Sequence, residues 1–206
     1  MRLTSDSITD GAPIPSEYAL CVPDPNSHAT FAANRNPDLA WTDIPDGTKS
    51  FVVTCIDVDV PSAGDDVNQE DREVPEDLPR VDFVHWLLAD LPAGVQHVAA
   101  GAYSDGVTPG GKPGLADGPI EGVNDYTSWF AGDPDMGGTW KGYDGPCPPW
   151  NDSILHRYDF TVYALDVATV GLSVGFTIDE LNATIDGHVL GSATITSTYT
   201  LNPRLR

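Results

Sequence analysis

Apolar and β-branched residues concentrate in four runs, and segments rich in polar residues, proline and glycine separate them. The runs span 50–56, 82–89, 158–165 and 192–200. Apolar and polar residues alternate along the last two runs, as they do in strands with one buried face. Turn residues flank the runs, as Asp46-Gly47 does before the first. The pattern predicts four β-strands.

One segment has the periodicity of a helix. Thr177 and Glu180 have the spacing of a capping box, and apolar residues follow at helical spacing as far as Ile185. Gly187 is a plausible stop. A second, weaker helical pattern covers residues 167–172.

Two long segments look irregular. Residues 62–82 carry eight acidic residues against two arginines, which predicts a solvated excursion between two strands. Residues 101–145 are rich in glycine and proline, which predicts a long loop region. Irregularly spaced strands, long loops and one or two late helices favour an antiparallel β-sandwich that forms a single domain over residues 1–206.

Composition narrows the function classes. The chain of 206 residues has a net charge of −21, which would repel a duplex or an anionic membrane. It has no apolar run of about 18 residues and no apolar signal region at its start, so we expect a cytoplasmic protein. The acidity suits a salt-rich cytoplasm; the alternative is simply an acidic surface.

The three cysteines, Cys21, Cys55 and Cys147, have no metal-binding spacing and cannot all pair within the chain. Cys55 lies inside an apolar run and is expected to be a small core residue. Cys147 stands between two prolines and is interpreted as an exposed thiol, for which a reactive role is a minor alternative.

Polar side chains occur at four places on or beside the predicted strands. These are Asp57 and Asp59, then His85, then the Gly/Pro loop 145–149, and then His156, Arg157 and Tyr158. Simpler interpretations exist. The two aspartates could belong to a turn, His85 could be a hydrogen-bonded core histidine, and residues 156–158 could be the surface start of a strand. Together, imidazoles near carboxylates and a loop that exposes N–H groups would make a small anion pocket.

Other chemistries have weaker support. His85, His156 and an aspartate could bind zinc, but the paired spacing of zinc motifs is missing. The chain also has no GxSxG elbow, no GxGxxG loop and no Walker loop. We therefore expect neither a metal nor a cofactor.

Three motifs in order resemble the phosphatidylethanolamine-binding protein family, which includes the Raf kinase inhibitor proteins. Residues 57–62 (DVDVPS) are similar to the family's D-P-D-A-P-S, and His85-Trp86 to its H-W strand. Residues 145–149 (GPCPP), followed by 156–158 (HRY), are similar to its G-x-x-P-P…H-R-Y. Residues 37–50 also resemble the bacterial and archaeal branch of YbhB/YbcL-like proteins.

The resemblance implies a sandwich of a large central sheet on a smaller one, a frequent homodimer, and a pocket for phosphate- or carboxylate-like ligands. Pro61 would be a cis-proline. Arg157 is expected to point away from the pocket and to form a structural pair, because neighbouring residues of a strand face opposite sides. The histidines and the tyrosine would donate to the anion, and the aspartates would orient the histidines or accept from an ammonium group. The implied pocket residues are Asp57, Asp59, His85, His156 and Tyr158, with the backbone around Cys147 and Pro148.

This chain departs from the family pattern in three places. Val58 and Val60 replace a proline and an alanine, and the side chain of Cys147 could narrow the pocket. The acidic segment 62–82 is longer than the link in compact bacterial members and could act as a lid. We expect a non-catalytic binding protein; the alternatives are a regulator of a protein partner such as a kinase and, less favoured, a hydrolase that uses histidine and aspartate.

Overall fold

The computed structural model describes residues 1–206 and contains ten strands and two α-helices. The strands are β1 (Arg2–Thr4), β2 (Cys21–Asp24), β3 (His28–Phe31), β4 (Leu39–Thr42), β5 (Ser50–Pro61), β6 (Arg80–Pro92), β7 (His97–Val98), β8 (Ile120–Glu121), β9 (His156–Leu165) and β10 (Val189–Tyr199). The helices are α1 (Tyr126–Trp129) and α2 (Ile178–Ile185).

The strands form one large sheet, one smaller sheet and a hairpin. The large sheet has the order β10-β9-β5-β6-β8, the smaller one β1-β4-β7, and β2 pairs with β3. Every pairing between these strands is antiparallel. Strand β5 lies at the centre of the large sheet, with β6 on one side and β9 on the other.

Both faces of the large sheet are covered. The main core of 26 buried residues lies between the large and small sheets, with Trp41 of β4 against Phe51 of β5. A second core of 9 buried residues lies on the opposite face, where Leu181 and Ile185 of α2 pack against Leu87 and Leu165. The predicted sandwich of a large sheet on a smaller one is confirmed.

The four predicted strands are present as β5, β6, β9 and β10, and each begins at or before the start of its apolar run; β5 and β6 also end beyond theirs, whereas β10 ends at Tyr199, one residue short. Helix α2 has the predicted capping box, in which Thr177 and Glu180 bond to each other's backbone N–H groups. No helix forms at 167–172: the Val170 N–H donates to the Asp90 side chain, not to a helical carbonyl. Helix α1, which has only four residues, lies inside the predicted loop region.

The cysteine interpretation was partly wrong. Cys21 of β2 and Cys147 form a disulfide across 126 residues of sequence, so Cys147 has no free thiol. Such a pairing depends on a tertiary approach, here 4.9 Å between the two Cα atoms, which spacing in the sequence does not reveal. Cys55 is free and fully buried, as expected.

Two further expectations are corrected by the backbone. The chain contains no cis peptide bond, so the bond to Pro61 is trans. The segment 62–82 is not solvated throughout, because Val74 within it is completely buried. Neither helix is long and apolar enough to cross a membrane.

Candidate functional site

A cavity of about 220 Å³ opens at one end of the large sheet, where β5, β6 and β9 meet the loop 145–149. The predicted site residues that line it are Asp57, His85, Cys147, Pro148, His156 and Tyr158. The structure therefore brings together six of the seven predicted residues, four of which lie on three separate strands.

Asp59 is the predicted residue that the cavity lacks. The register of β5 against β6 shifts between Asp57 and Val60, and the Asp59 N–H donates to Asp57 Oδ1 at 2.9 Å. This irregularity turns Asp59 to the other face of the sheet, where it accepts from Arg157 N at 2.9 Å and from Nε and Nη2 at 2.8 Å. Burial opposes ionisation, but the bonds from Arg157 outweigh it and lower the pKa of Asp59. Arg157 thus forms the expected structural pair.

His156 is held between two carboxylates. Its Nδ1 lies 2.7 Å from Asp57 Oδ2, its Nε2 lies 3.0 Å from Asp152 Oδ2, and all three side chains are almost completely buried. Burial alone would lower the pKa of His156, but the two carboxylates raise it to about 9. The ring is therefore an imidazolium at neutral pH. Both of its N–H groups are already used, so it has no free donor for a ligand, contrary to our expectation.

Asp152, which the sequence reasoning missed, joins this histidine to Arg80. The Arg80 guanidinium donates to both oxygens of Asp152, at 2.6 and 3.1 Å. Burial opposes ionisation of Asp152, but His156 and Arg80 together lower its pKa. Asp57, His156, Asp152 and Arg80 thus alternate in charge, and the formal charges of the four groups cancel. The sequence feature that could have identified Asp152 is its position four residues before His156.

His85 has a different environment. Its Nδ1 lies 2.7 Å from the backbone carbonyl oxygen of Asp144, which can only accept, so Nδ1 carries the proton. Burial lowers the pKa of His85, despite the nearby charge of Asp57. The ring is therefore neutral at pH 7, and its Nε2, which has no protein partner, carries a lone pair toward the cavity.

Packing and a buried network fix the His85 ring. Three aromatic rings surround it at centroid distances of 5.0 to 5.4 Å, those of Phe83, Tyr126 and Tyr158. The carboxylate of Asp144, whose carbonyl holds Nδ1, accepts bonds of 2.7 to 2.8 Å from Lys112 Nζ, Asn34 Nδ2 and Asn124 Nδ2. The orientation of His85 is thus set from behind the cavity.

Two donors at the cavity make no well-formed hydrogen bond within the protein. The buried Tyr158 hydroxyl lies beside the Asp57 carboxylate, but no acceptor is in hydrogen-bonding geometry to it. Burial, together with the charge of Asp57, raises the pKa of Tyr158 well above its usual value, so the hydroxyl keeps its proton. The backbone N–H of Cys147 also donates to no protein acceptor. Buried polar groups normally have partners, so the Tyr158 hydroxyl is a candidate for contact with a ligand, and the N–H of the half-buried Cys147, which lines the cavity, is a second candidate.

The first part of the acidic segment forms the outer wall of the cavity. Ser62, Gly64 and Asn68 line it. The wall is anchored by Asn151, whose Nδ2 donates to the carbonyls of Asp66, Gln69 and Arg72 at 2.8 to 3.2 Å. The acidic segment, which we expected to act as a lid, is thus hydrogen-bonded through Asn151 to the loop before β9.

No group of three or more histidine, cysteine, aspartate or glutamate side chains has the arrangement of a metal site. The cavity therefore offers a neutral imidazole nitrogen, a phenol, a backbone N–H and a carboxylate that is already paired with His156. This arrangement can exchange hydrogen bonds with a small polar group, and it presents no free cation to that group.

Comparison with known proteins gives a consistent result. The family model described as phosphatidylethanolamine-binding protein matches residues 4–200. The UPF0098 protein YbhB of Escherichia coli (strain K12) is 30% identical over 199 residues, which cover 97% of this chain and 99% of YbhB.

Two crystal structures have similar folds. One is described as that of a phosphatidylethanolamine-binding protein homologue from Chlamydia trachomatis; it has a TM-score of 0.65 and 27% identity, and the match covers 96% of this chain and 95% of that one. The other is E. coli YbcL, with a TM-score of 0.66, 24% identity and 97% of both chains covered. The likeness to YbcL concerns the fold alone.

Proposed function

Because this chain belongs to the phosphatidylethanolamine-binding protein family, in its bacterial and archaeal branch of YbhB/YbcL-like proteins, we propose that its cavity binds a small phosphate-type anion without transforming it. The anion would be free phosphate or the phosphate group of a headgroup or metabolite.

The observation that carries the proposal is the set of unpaired groups at one cavity. They are the Tyr158 hydroxyl, the Cys147 N–H and His85 Nε2. A buried donor without a partner costs about 1–3 kcal/mol. A phosphate oxygen would accept from the Tyr158 phenol and remove that cost, and a phosphate oxygen would also accept from the Cys147 N–H.

The third group gives the ligand a specific protonation state. A neutral His85 presents a lone pair at Nε2, which accepts and does not donate. The anion must therefore bring a proton, as a monoprotonated phosphate does, or His85 must take one from solution. For a phosphate monoester, which is a fully ionised dianion at pH 7.5, the complex then holds about one more proton than the free partners. Inorganic phosphate already carries this proton as HPO4²⁻. The proton also offsets the repulsion expected inside a protein of charge −21.

Calorimetric titration with inorganic phosphate and with phosphoethanolamine tests the proposal. Titrations in two buffers of different ionisation enthalpy should reveal the uptake of a proton at pH 7.5 with phosphoethanolamine, whose phosphate is a dianion, and little uptake with inorganic phosphate, whose HPO4²⁻ form already carries the proton. The variant His85→Asn retains a donor toward the Asp144 carbonyl and loses Nε2, so it should bind at least tenfold more weakly, as expected for a bond to a charged group. An absence of binding by the wild type, or an unchanged affinity in His85→Asn, would contradict the proposal.

We also propose that the cavity is not catalytic. The Cys147 sulfur is held in a disulfide, and both nitrogens of His156 are used. No hydroxyl or thiol in the protein is hydrogen-bonded to His85 Nε2, so that base has no nucleophile to activate. Turnover of p-nitrophenyl phosphate or acetate under several metal conditions, lost in His85→Asn, would favour the hydrolase alternative instead.

A second candidate is regulation of a basic protein partner, with a kinase as one possibility. It is favoured by exposed acidic side chains, such as Glu76 and Asp77, on the segment that also walls the cavity. Affinity capture with the wild type and with Glu76→Gln/Asp77→Asn discriminates the two, because both residues lie outside the contacts that anchor the segment. Retention of the same proteins by both baits would count against this candidate. The homodimer remains an expectation, which sedimentation equilibrium tests.

The cytoplasmic location stays a prediction, and the Cys21–Cys147 disulfide argues against it. Structural disulfides persist mainly in oxidising compartments and are uncommon where thiol reductants act. Trapping of free thiols in intact cells, followed by electrophoresis without reductant, shows whether the bond exists there.

A further inference from the structure

Strand β10 forms one outer edge of the large sheet, and half of that edge has no partner. The outward backbone groups of Thr196 and Thr198 bond to the N-terminal part of the chain. The register of β10 against β9 is unbroken over residues 191–199, so the backbone N–H and C=O groups of Ser192 and Thr194 point to the same outer side. These groups have no protein partner, and both residues are exposed.

The covered half shows that this edge accepts an extended segment. The Gly11 N–H donates to the Thr196 carbonyl oxygen at 2.7 Å. The Ile14 N–H donates to that of Thr198 at 2.8 Å, and the Asp10 carboxylate accepts from the Thr196 N–H at 2.9 Å. The pairing of this native segment begins alongside Thr196 and does not reach the open half.

The opposite edge of the large sheet is closed. Strand β8 covers residues 88–89 of β6. Just beyond β8, the Gly122 N–H donates to the Leu87 carbonyl at 3.0 Å. The Asp125 N–H then donates to the Val84 carbonyl at 2.9 Å. The outer edge of β10 is thus the side on which the sheet can still grow.

Strand β10 lacks the charges and prolines that usually protect an edge strand from pairing with another chain. Its eleven residues include neither. Its one irregularity lies between Val189 and Gly191, before the open ladder groups. Val189 is 41% exposed and Leu190 is 40% exposed, so apolar surface adjoins those groups. This combination fits the addition of a strand from another chain.

The segments that flank the open half are mainly acidic. The loop 43–49 packs against the start of β10, because a Cβ added at Gly47 would lie 3.9 Å from Leu190 Cδ1. Lys49 is the basic residue of this loop, and residues 158–203 contain no lysine or arginine. The exposed acids of the flanking segments are Asp10, Asp43, Asp46 and Asp186.

We propose that the open half of the β10 edge binds an extended, basic segment of another protein, which joins the large sheet as a sixth strand. Ser192 and Thr194 supply the ladder bonds, Val189 and Leu190 supply apolar contact, and the acidic rim attracts lysine or arginine on either side of the segment. A second copy of the chain is a poorer occupant, because each copy has a charge of −21 and would bring the same aspartates to the contact.

This edge is separate from the anion cavity. Tyr199, at the cavity end of β10, pairs with His156, whereas Ser192 pairs with Tyr163 near the other end of β9. Binding at the edge therefore does not depend on the proposed binding of an anion.

The test uses the peptide KKVTVTVKK, with blocked ends, as the probe. At low salt its binding should slow hydrogen exchange of the Ser192 and Thr194 amides at least tenfold. Ser192→Pro removes one outward N–H at a position where an edge strand tolerates proline, and it should weaken the peptide at least tenfold. Ser192→Val is the matched control, because it keeps the N–H and should change the affinity by less than twofold.

A pair of charge variants tests the acidic rim without altering the strand. Asp43→Asn/Asp46→Asn should weaken the peptide a few-fold at low salt, and asparagine tolerates the positive φ of 55° at position 43. Asp117→Asn/Asp135→Asn makes the same change in charge on exposed loops elsewhere and should have no effect.

Four outcomes would overturn the proposal. They are a peptide that does not bind, a peptide that binds without protecting the two amides, unchanged affinity in Ser192→Pro, and equal binding of the acidic peptide EEVTVTVEE. Protection of the two amides that rises with protein concentration in the absence of peptide, together with a dimer in sedimentation, would assign the edge to a second copy and would also overturn it.

Discussion

Two histidines face the same cavity from different strands, and their surroundings give them different properties. His156 on β9 is clamped by Asp57 and Asp152, and its pKa is raised to about 9. His85 on β6 is held by a neutral carbonyl among aromatic rings, and burial lowers its pKa. Of the two, only His85 retains a free nitrogen.

This difference shows that a residue beside a cavity does not necessarily contact the ligand. The charge of His156 is already matched within the protein, so this residue holds β5, β9 and the loop before β9 together. His85 has a lone pair at Nε2 that has no protein partner, and its ring has a fixed orientation. These are the properties of a group that contacts a ligand. The following predictions test this division, from the largest expected effect to the smallest.

Replacement of His156 should have the largest effect on stability. His156→Ala leaves the buried carboxylates of Asp57 and Asp152 without their shared cation, which should cost about 3–5 kcal/mol of unfolding free energy. Urea denaturation measures this loss. The comparison variant His85→Asn should lose less stability, because its amide can still donate to the Asp144 carbonyl. A larger loss in His85→Asn than in His156→Ala would reverse the assignment of roles.

The pH dependence of stability should distinguish the two histidines by sign. The folded pKa of His156 is raised from 6.5 to about 9, so its contribution is complete below pH 6.5 and is lost as the pH rises toward 9. The expected loss is on the order of 3 kcal/mol. The pKa of His85 is lowered, so its contribution is present above pH 6.5 and is lost as the pH falls below that value.

Urea denaturation from pH 5 to pH 10 measures both slopes. His156→Asn should abolish the loss of stability between pH 7 and about 8.5, which lies above the titration of Glu121 and below that of Cys55, two groups whose raised pKa values add losses of their own. His85→Asn should keep this loss and change the slope below pH 6.5. A loss between pH 7 and about 8.5 that survives in His156→Asn would show that the histidine is not protonated in the native state.

Removal of the disulfide should affect stability and the His85 side of the cavity together. Cys21→Ala/Cys147→Ala should lower the unfolding free energy by about 2–4 kcal/mol, and it should weaken phosphate binding because the loop that carries the Cys147 N–H is no longer fixed. The alkaline slope due to His156 should not change. Phosphate affinity equal to that of the wild type would remove Cys147 from the proposed site.

Salt should have the smallest effect, and it should act on the open cavity more than on the buried network. Raising KCl from 0.05 M toward about 1 M shortens the Debye length to about 3 Å. This screens the field of a protein with charge −21. Phosphate affinity should rise a few-fold, and the pH slope of His156 should change little.

The same series tests salt adaptation, since a chain adapted to a salt-rich cytoplasm should lose its fold at low KCl. Stability that does not depend on salt would leave an acidic surface as the sufficient explanation.

Much of the fold was readable from the sequence because its elements have strong local signals. The apolar runs predicted the four long strands, and Thr177 with Glu180 predicted the start of α2. Helix α1 was missed because four residues are too few for helical periodicity. The region 167–172 has helical spacing, but a tertiary bond from Val170 to Asp90 decides its conformation.

The site was predictable in position but only partly in role. The motifs placed Asp57, His85, His156 and Tyr158 together, because neighbouring strands bring these residues to the same end of the sheet. The orientation of Asp59 depends on an irregularity in β5 that two-residue alternation does not contain. The different states of the two histidines depend on partners from distant loops. These partners are Asp152, Arg80 and the backbone of Asp144.

The central claim is that a phosphate-type anion meets His85 and leaves His156 unchanged. Nitrogen-15 spectra of the imidazole rings, assigned with His85→Asn and His156→Asn and recorded at pH 7.5 with and without inorganic phosphate, test it directly. We predict that phosphate moves His85 Nε2 from the shift of an unprotonated nitrogen toward that of a hydrogen-bonded or protonated one. Both nitrogens of His156 should remain protonated throughout. A phosphate-dependent change at His156, with His85 unaffected, would contradict the account.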